Sequence, residues 1–96
     1  MHHANARITI RYCTRCNWLL RAGWMAQELL SSFGETLGEV ALIPDGTGGR
    51  FEIHVNDQLI WERARDGGFP DARVLKQKVR DIVEPARDLG HIDKSH

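Results

Sequence analysis

Long apolar runs are missing from this sequence, and so are a cysteine-rich pattern and an excess of charge of either sign. No segment approaches the roughly 18–20 consecutive apolar residues of a membrane-spanning helix. Two cysteines in 96 residues are too few for a scaffold held together by several disulfides. Thirteen Lys and Arg balance thirteen Asp and Glu, whereas binding to nucleic-acid phosphates needs surplus cations. These absences argue against a membrane protein, a disulfide-rich scaffold and a nucleic-acid-binding domain.

The length and the N-terminal segment bound the class of protein further. The segment Met1–Arg7 lacks the apolar stretch of a signal peptide, so we expect a cytoplasmic protein. A chain of 96 residues suits one domain with a modest core and little room for an enclosed cavity. We expect this domain over residues 7–90, with an N-terminal tail over 1–6 and a mobile C-terminal tail over 91–96.

Hydrophobic patterns predict four strands: polar and apolar residues alternate in three segments, and the second segment, 37–43, is an apolar, strand-like run. The strand segments are 7–12, 37–43, 51–55 and 59–62. Asn56-Asp57 separates the last two and suits a tight hairpin turn. Two segments rich in glycine and proline, 44–49 and 65–70, should break regular structure.

Two helices complete the pattern. The first is predicted from Asn17 to Phe33, with Gly34 as a left-handed cap. Its apolar stripe is formed by Trp18, Ala22, Met25 and Leu29, flanked by Leu19, Ala26, Leu30 and Phe33. The second helix is capped by Asp71 and ends at Glu84, before Pro85. Its apolar face carries Leu75, Val79, Ile82 and Val83.

The element order is therefore β-α-β-β-β-α. A right-handed crossover makes the first two strands parallel, and the hairpin adds antiparallel strands. This order predicts an α/β fold with a mixed four-stranded sheet and two main helices. It suits a small thioredoxin-like sheet, and the element order alone leaves ferredoxin-like variants nearly as well supported.

The two cysteines stand where the first strand meets the first helix, in Cys13-Thr14-Arg15-Cys16. Unpaired amides in the first turn of a helix favour a thiolate over a thiol, and Arg15 and Arg11 add positive charge. A thiolate is the reacting species in disulfide exchange. The spacing lets one sulfur attack a substrate while the other resolves the mixed disulfide. We therefore interpret Cys13 and Cys16 as a catalytic redox pair.

Two other interpretations of the cysteines stay open at this point. They could be small core residues, as buried cysteines often are. They could instead be half of a structural zinc site completed by His91 and His96, although the long intervening stretch departs from zinc-finger spacing.

Three segments resemble the selenoprotein W-like family, also called the Rdx family, in the same order along the chain. They are Tyr12–Cys16, Gly48–Ile53 and Arg65–Asp71. The resemblance covers about residues 7 to 83. It implies a thioredoxin-like fold without the extra middle helix of larger relatives. It also implies a thiol–disulfide oxidoreductase.

The resemblance leaves the attacking sulfur open. Members of the family with selenocysteine carry it at the second position of the motif, which is Cys16 here. Thioredoxin-like chemistry instead makes the first cysteine, Cys13, the nucleophile. Both are therefore assigned to the redox pair.

Two glycine-rich segments are candidate glutathione contacts. Gly48-Gly49 occupies the place where thioredoxin-like proteins usually have a cis-proline, and glycines allow close approach of a peptide or glutathione. Gly67, Gly68 and Asp71 resemble the segment of glutaredoxins that holds a glutathione carboxylate, and free amides at a helix start suit an anion. The alternative for Asp71 is an ordinary helix cap after a glycine turn.

Leu20 and Trp24 lie one turn apart and off the apolar stripe of the first helix. They are a candidate surface for a protein partner, or alternatively they lie under a loop or the C-terminal tail. The sequence thus predicts thiol–disulfide exchange in cell redox homeostasis, with glutathione or a protein thiol as the other party. We expect no metal, nucleotide, flavin or other bound cofactor. The alternative function is a non-catalytic, redox-sensing interaction module.

Overall fold

A computed structural model describes residues 5–90 and shows a four-stranded sheet in the order β2-β1-β3-β4. The strands are β1 (Ala6–Cys13), β2 (Leu37–Asp45), β3 (Phe51–Val55) and β4 (Gln58–Glu62). The helices are α1 (Leu19–Phe33), α2 (Arg63–Asp66) and α3 (Ala72–Val83), and a 3₁₀ turn covers Thr14–Cys16. β1 is parallel to β2 and antiparallel to β3, and β3 is antiparallel to β4. The predicted thioredoxin-like α/β fold is confirmed.

Alternation along the central strand builds the core. Ile8, Ile10 and Tyr12 point to one face of the sheet and join the core cluster. Their partners on β3 are Val55, Ile53 and Phe51, also buried. The helices complete the core with Ala22, Met25, Leu29, Phe33, Leu75 and Val79. This single apolar layer between sheet and helices is what a short chain can bury.

The first helix begins later than the periodicity predicted. Asn17 adopts a left-handed conformation (φ 60°), so α1 begins only at Leu19. Ala26 and Phe33 are buried as predicted, but Leu19 and Leu30, predicted to flank the apolar stripe, are 49% and 45% exposed. They lie outside the face of α1 that packs against the sheet and α3. That buried face is narrower than the set of apolar residues on the helix.

Gly34 does not form the predicted left-handed cap. Its φ is −52°, so the chain continues in right-handed geometry into a turn. Glycine is needed there for another reason, because a Cβ at this position would lie 2.7 Å from the Leu30 carbonyl oxygen.

Two elements extend into segments where the sequence predicted a break. β2 continues through Pro44 to Asp45, since an edge strand tolerates a proline. The short helix α2 follows β4 directly, and both Ala64 and Arg65 donate their amides to the Glu62 carboxylate at its start. A capping carboxylate of this kind stabilises even a single helical turn.

The predicted cap and end of the second helix and the predicted hairpin turn are confirmed. The predicted terminal tails fall mostly on residues 1–4 and 91–96, which lie outside the described residues. Asp71 caps α3 by accepting a 2.8 Å hydrogen bond from the Val74 amide, and the helix ends at Val83 with Glu84 as its C-cap. Asn56 takes the positive φ (55°) that the β3–β4 hairpin requires. Within residues 5–90, no helix combines the length and the apolar character needed to cross a membrane.

Candidate functional site

Cys13 and Cys16 form a disulfide at the end of the central strand. Cys13 is the last residue of β1, and the 3₁₀ turn that follows brings the Cα atoms of the two cysteines to 5.4 Å. The Cys13 side chain is fully buried, whereas Cys16 is only partly buried. The pair is therefore asymmetric, and Cys16 is the sulfur that an incoming thiol meets first.

The sequence predicted that the cysteines lie at the first turn of the first helix, but in the structure they precede that helix. They belong to their own 3₁₀ turn, and Asn17 and Trp18 separate Cys16 from α1. The left-handed Asn17 ends the short turn, so the chain must start a new helix after it. The amides of the first turn of α1 are thus three residues or more beyond Cys16.

The nearby cations also differ from the expectation. Arg15, between the cysteines, is exposed. Arg11 is not a free positive charge, because its guanidinium lies 3.7 Å from the Asp45 carboxylate. Beside the turn lies an open hollow of about 230 Å³, lined by Tyr12, Thr14, Asn17 and Leu19. This hollow gives a substrate room to approach the turn.

Asp45 is a site residue for which the sequence gave no specific role. It pairs with Cys13 in the β1–β2 register, and its side chain is only 7% exposed. The Thr47 hydroxyl and amide donate to its carboxylate, and Arg50 forms an ion pair with it at 3.2 Å. These hydrogen bonds from Thr47, followed by the charges of Arg50 and Arg11, hold the pKa of Asp45 below its usual value. The signal in the sequence was Asp-Gly-Thr, typical of a side chain that bonds its own loop.

The glycine loop predicted to face the cysteines lies against their turn. Gly48 and Gly49 have positive φ values of 101° and 73°. A Cβ placed on Gly48 would lie 3.6 Å from an Arg15 guanidinium nitrogen. The Thr14 hydroxyl donates to the Asp45 carbonyl at 3.3 Å, which ties the start of the loop to the same turn.

The second glycine segment is hydrogen-bonded within the chain. The amides of Gly67 and Gly68 both donate to the Arg63 carbonyl at 2.9 Å. The Asp71 carboxylate is engaged by the Val74 amide, and the Gly68 carbonyl accepts from the Trp61 indole at 2.9 Å. A glutathione carboxylate at Gly67 or Gly68 would have to displace these internal hydrogen bonds.

An aromatic cluster of Trp18, Phe51 and Phe69 joins this segment to the 3₁₀ turn at Thr14–Cys16, called the cysteine turn below. The Trp18 and Phe69 ring centroids are 5.0 Å apart, and those of Phe69 and Phe51 are 4.9 Å apart, both edge to face. Trp18 follows Cys16 by two residues and Phe69 follows Gly68, so the cluster holds the two loops next to each other. The sequence identified Trp18 only as part of an apolar stripe and gave Phe69 no role, because the contact is long-range.

The candidate partner surface on α1 is exposed in the structure. Leu20 is 84% exposed and Trp24 is 43% exposed. Both precede the middle of α1, on the helix that follows the cysteine turn. Within residues 5–90, no loop buries either side chain as a core residue is buried.

The zinc alternative has no second half among residues 5–90. No three His, Cys, Asp or Glu side chains gather there closely enough to hold a metal ion, and both cysteines are in the disulfide. His91 and His96, which that alternative required, lie outside the described residues.

Comparisons with known proteins agree with the geometry. The model of the Rdx family matches residues 7–81. A selenoprotein W-related protein from Vibrio cholerae has a similar structure, with a TM-score of 0.81, 56% identity, and coverage of 84% of this chain and 100% of that one. A structure from Bordetella parapertussis matches with a TM-score of 0.79 and 64% identity over 81% of this chain and 98% of its own.

A curated relative is more distant. Migration and invasion enhancer 1 from Bos taurus is 32% identical over 75 residues, which are 77% of this chain. The match spans 62% of the length of that relative. Because the family model covers most of the chain and carries the cysteine turn, this protein belongs to the Rdx family.

Proposed function

We propose that this domain is a thiol–disulfide oxidoreductase that works through Cys13 and Cys16. The observation that carries the proposal is a disulfide at the end of β1 in which only Cys16 is open to solvent. A family generally associated with redox chemistry supports the same function.

The reaction begins with an incoming thiolate. It attacks the Cys16 sulfur, a new S–S bond forms between substrate and Cys16, and the Cys13–Cys16 bond breaks with its electron pair on Cys13. Cys13 then takes up a proton. A second thiolate attacks the mixed disulfide and releases an oxidised substrate, which leaves both cysteines reduced. In total, two thiols become one disulfide and the protein disulfide becomes two thiols.

The surroundings assign different roles to the two sulfurs. Cys13 is fully buried, so its sulfur is shielded from an incoming thiolate, whereas the partly buried Cys16 is open to attack. Cys16 therefore exchanges with substrate, and Cys13 is the sulfur displaced when the disulfide opens. In the reverse direction Cys13 attacks the mixed disulfide on Cys16 and re-forms the bond.

The other party in our proposal is glutathione or a protein thiol. We place the cycle in the cytoplasm, where the glutathione pool contains both thiol and disulfide forms. The Gly48-Gly49 loop lies against Arg15 and leaves backbone near the turn for contact with a peptide. Gly67, Gly68 and Asp71 are a second candidate contact, reached only if their present hydrogen bonds rearrange.

Single-cysteine variants test the proposal. With oxidised glutathione, Cys13→Ser should form a mixed disulfide on Cys16, and Cys16→Ser should react at least tenfold more slowly through the buried Cys13. Intact mass spectrometry measures the adduct, and the double variant Cys13→Ser/Cys16→Ser gives the background. If neither single variant reacts faster than the double variant, the domain is not an oxidoreductase. Faster reaction of Cys16→Ser would reverse the two roles.

The exposed Leu20 and Trp24 favour a second candidate function, a redox-sensing module that binds a partner protein. The two functions differ in turnover. An oxidoreductase should convert many equivalents of a disulfide substrate when glutathione is supplied, whereas a sensor exchanges once and stops. In Leu20→Ala/Trp24→Ala, the turnover of an oxidoreductase acting on glutathione should be unchanged.

A further inference from the structure

Three arginines are set apart because no carboxylate of residues 5–90 pairs with them. All ten arginines of the chain lie within the described residues. Six of them form ion pairs with Asp or Glu, namely Arg7, Arg11, Arg50, Arg65, Arg80 and Arg87. Among residues 5–90, no carboxylate lies within ion-pair distance of Arg15, Arg21 or Arg63.

Each of these three arginines is linked to the cysteine turn, either by its place in the sequence or through the aromatic rings that follow the turn. Arg15 is between the two cysteines, and the Arg21 guanidinium lies 4.1 Å from the centre of the Phe69 ring. The Arg63 guanidinium lies 5.0 Å from the centre of the Trp18 ring. Since Trp18 and Phe69 contact each other just after Cys16, both stacked guanidiniums belong to the surroundings of the cysteine turn.

The sheet topology explains why Arg63 comes to this end of the molecule. β1 and β4 are each antiparallel to β3, so they run in the same direction, and their C-terminal ends lie at the same end of the sheet. Cys13 ends β1, and Arg63 follows the last residue of β4. Two residues that are far apart in sequence therefore lie at the same end of the sheet.

Arg63 also has an unused hydrogen-bond donor. Its Nε atom is buried, and no acceptor in the described part of the chain reaches it. Buried donors without a partner are rare in native proteins. A guanidinium stacked on a ring keeps its in-plane N–H groups for a carboxylate, which it binds through paired hydrogen bonds.

We propose that Arg15, Arg21 and Arg63 form a carboxylate-binding site that selects thiols whose sulfur is flanked by carboxylate groups. The inference rests on the function proposed above and names its substrate class. Two sources offer this chemistry. Glutathione has two carboxylates on either side of its cysteine, and a protein segment can carry Asp or Glu next to a reactive cysteine.

The site would act on the first step of exchange. Positive charge near Cys16 raises the local concentration of an acidic thiolate, which attacks the Cys16 sulfur and displaces Cys13 as described above. Because the attraction is electrostatic and partly exposed to water, it weakens as salt rises. The chain as a whole has no net charge, so this effect comes from the local arrangement.

The test measures how fast different thiols reduce the oxidised protein. Four thiols are compared: glutathione, glutathione with both carboxylates esterified, a blocked Glu-Cys-Glu peptide and a blocked Gln-Cys-Gln peptide. The second-order rate constant for opening the Cys13–Cys16 disulfide is followed by acid quench and mass spectrometry. Each rate is divided by the rate of the same thiol with a small neutral disulfide, which removes differences in intrinsic nucleophilicity.

The acidic thiols should react about five- to twenty-fold faster than their neutral counterparts at low salt, and this preference should shrink at high salt. Arg15→Gln, Arg21→Gln and Arg63→Gln should each reduce the preference by about two- to five-fold. Arg7→Gln, at the opposite end of β1, is the matched control and should leave the preference intact. Arg63→Lys keeps a cation and tests whether folding rather than charge is affected.

The outcomes separate the carboxylate-binding site from the oxidoreductase function. A preference for glutathione over its ester, for Glu-Cys-Glu over Gln-Cys-Gln, or for both supports the site and tells which source it accepts. Equal normalised rates for acidic and neutral thiols would overturn it while the oxidoreductase function stands. A variant that slows acidic and neutral thiols alike would also overturn it for that arginine. If no thiol opens the disulfide, the proposed function itself fails.

Discussion

Reduction of the Cys13–Cys16 disulfide should lower the stability of the domain without unfolding it. The two cysteines are three residues apart, so the bond closes a very short loop in the unfolded chain. Chain entropy for a loop of this size gives a stabilisation of about 2 kcal/mol. For a domain of this length, this corresponds to a fall in Tm of about 8–15 °C. A redox couple must fold in both states, and a cost of this size leaves the dithiol form folded.

The assay is thermal unfolding followed by circular dichroism, with and without a phosphine reductant. The variant Cys13→Ser/Cys16→Ser is the control, because its Tm should match that of the reduced protein and should not respond to the reductant. Loss of folded structure at room temperature on reduction would show that the disulfide is a structural staple, against our reasoning. A Tm unchanged by reduction would show that no disulfide constrains the chain.

Three further predictions concern residues around the site. Phe69→Ala, measured by urea unfolding, should cost about 2–4 kcal/mol by removing two edge-to-face ring contacts and a cation–π contact, and Phe69→Leu should cost roughly half as much; a loss below 1 kcal/mol for Phe69→Ala would contradict the role of the aromatic cluster. The pKa of Asp45 is lowered in the folded protein, so the stability it contributes is present above its ordinary value of 3.8 and is lost as pH falls through the lower folded value. Between about pH 6 and about pH 2, the Tm should therefore fall less steeply for Asp45→Asn than for the parent protein. Parallel plots of Tm against pH would refute this. Asn56→Ala should cost about 1–2 kcal/mol in urea unfolding, because alanine disfavours the left-handed conformation and loses the bond to the Arg7 amide, whereas Asn56→Gly should lose only the bond.

The sheet could be predicted because its signals are local. Ile8, Ile10 and Tyr12 alternate with polar residues, and Asn56 marks the hairpin, so the strands, their order along the chain and their faces follow from short patterns. The cysteine pair was predicted for the same reason, since its spacing and its place after a strand are both visible in the sequence.

What was missed depends on contacts between distant parts of the chain. The exposure of Leu19 and Leu30 follows from how much of α1 the sheet and α3 cover, which periodicity does not reveal. The role of Asp45 depends on its register against Cys13. The helix α2 is different, because its Glu62 cap is local but was hidden by the double glycine that follows.

The asymmetry of the disulfide also had to come from the fold. The sequence left Cys13 and Cys16 equivalent as candidate nucleophiles. In the structure, Cys13 is buried as the last residue of β1, whereas Cys16 lies beyond the strand and is only partly buried. The two cysteines belong to different elements, since Cys13 ends β1 and Cys16 ends the 3₁₀ turn.

The most direct test of the account is a redox titration of the purified protein against a series of ratios of reduced to oxidised glutathione. After acid quench and alkylation, intact mass spectrometry counts the two thiols at each ratio. A reversible redox couple predicts a single two-electron transition from disulfide to dithiol, the same when approached from either side, with a glutathione adduct on Cys16 as the only mixed species. A protein that stays wholly oxidised or wholly reduced at every ratio would contradict the claim that these two sulfurs exchange electrons with a thiol substrate.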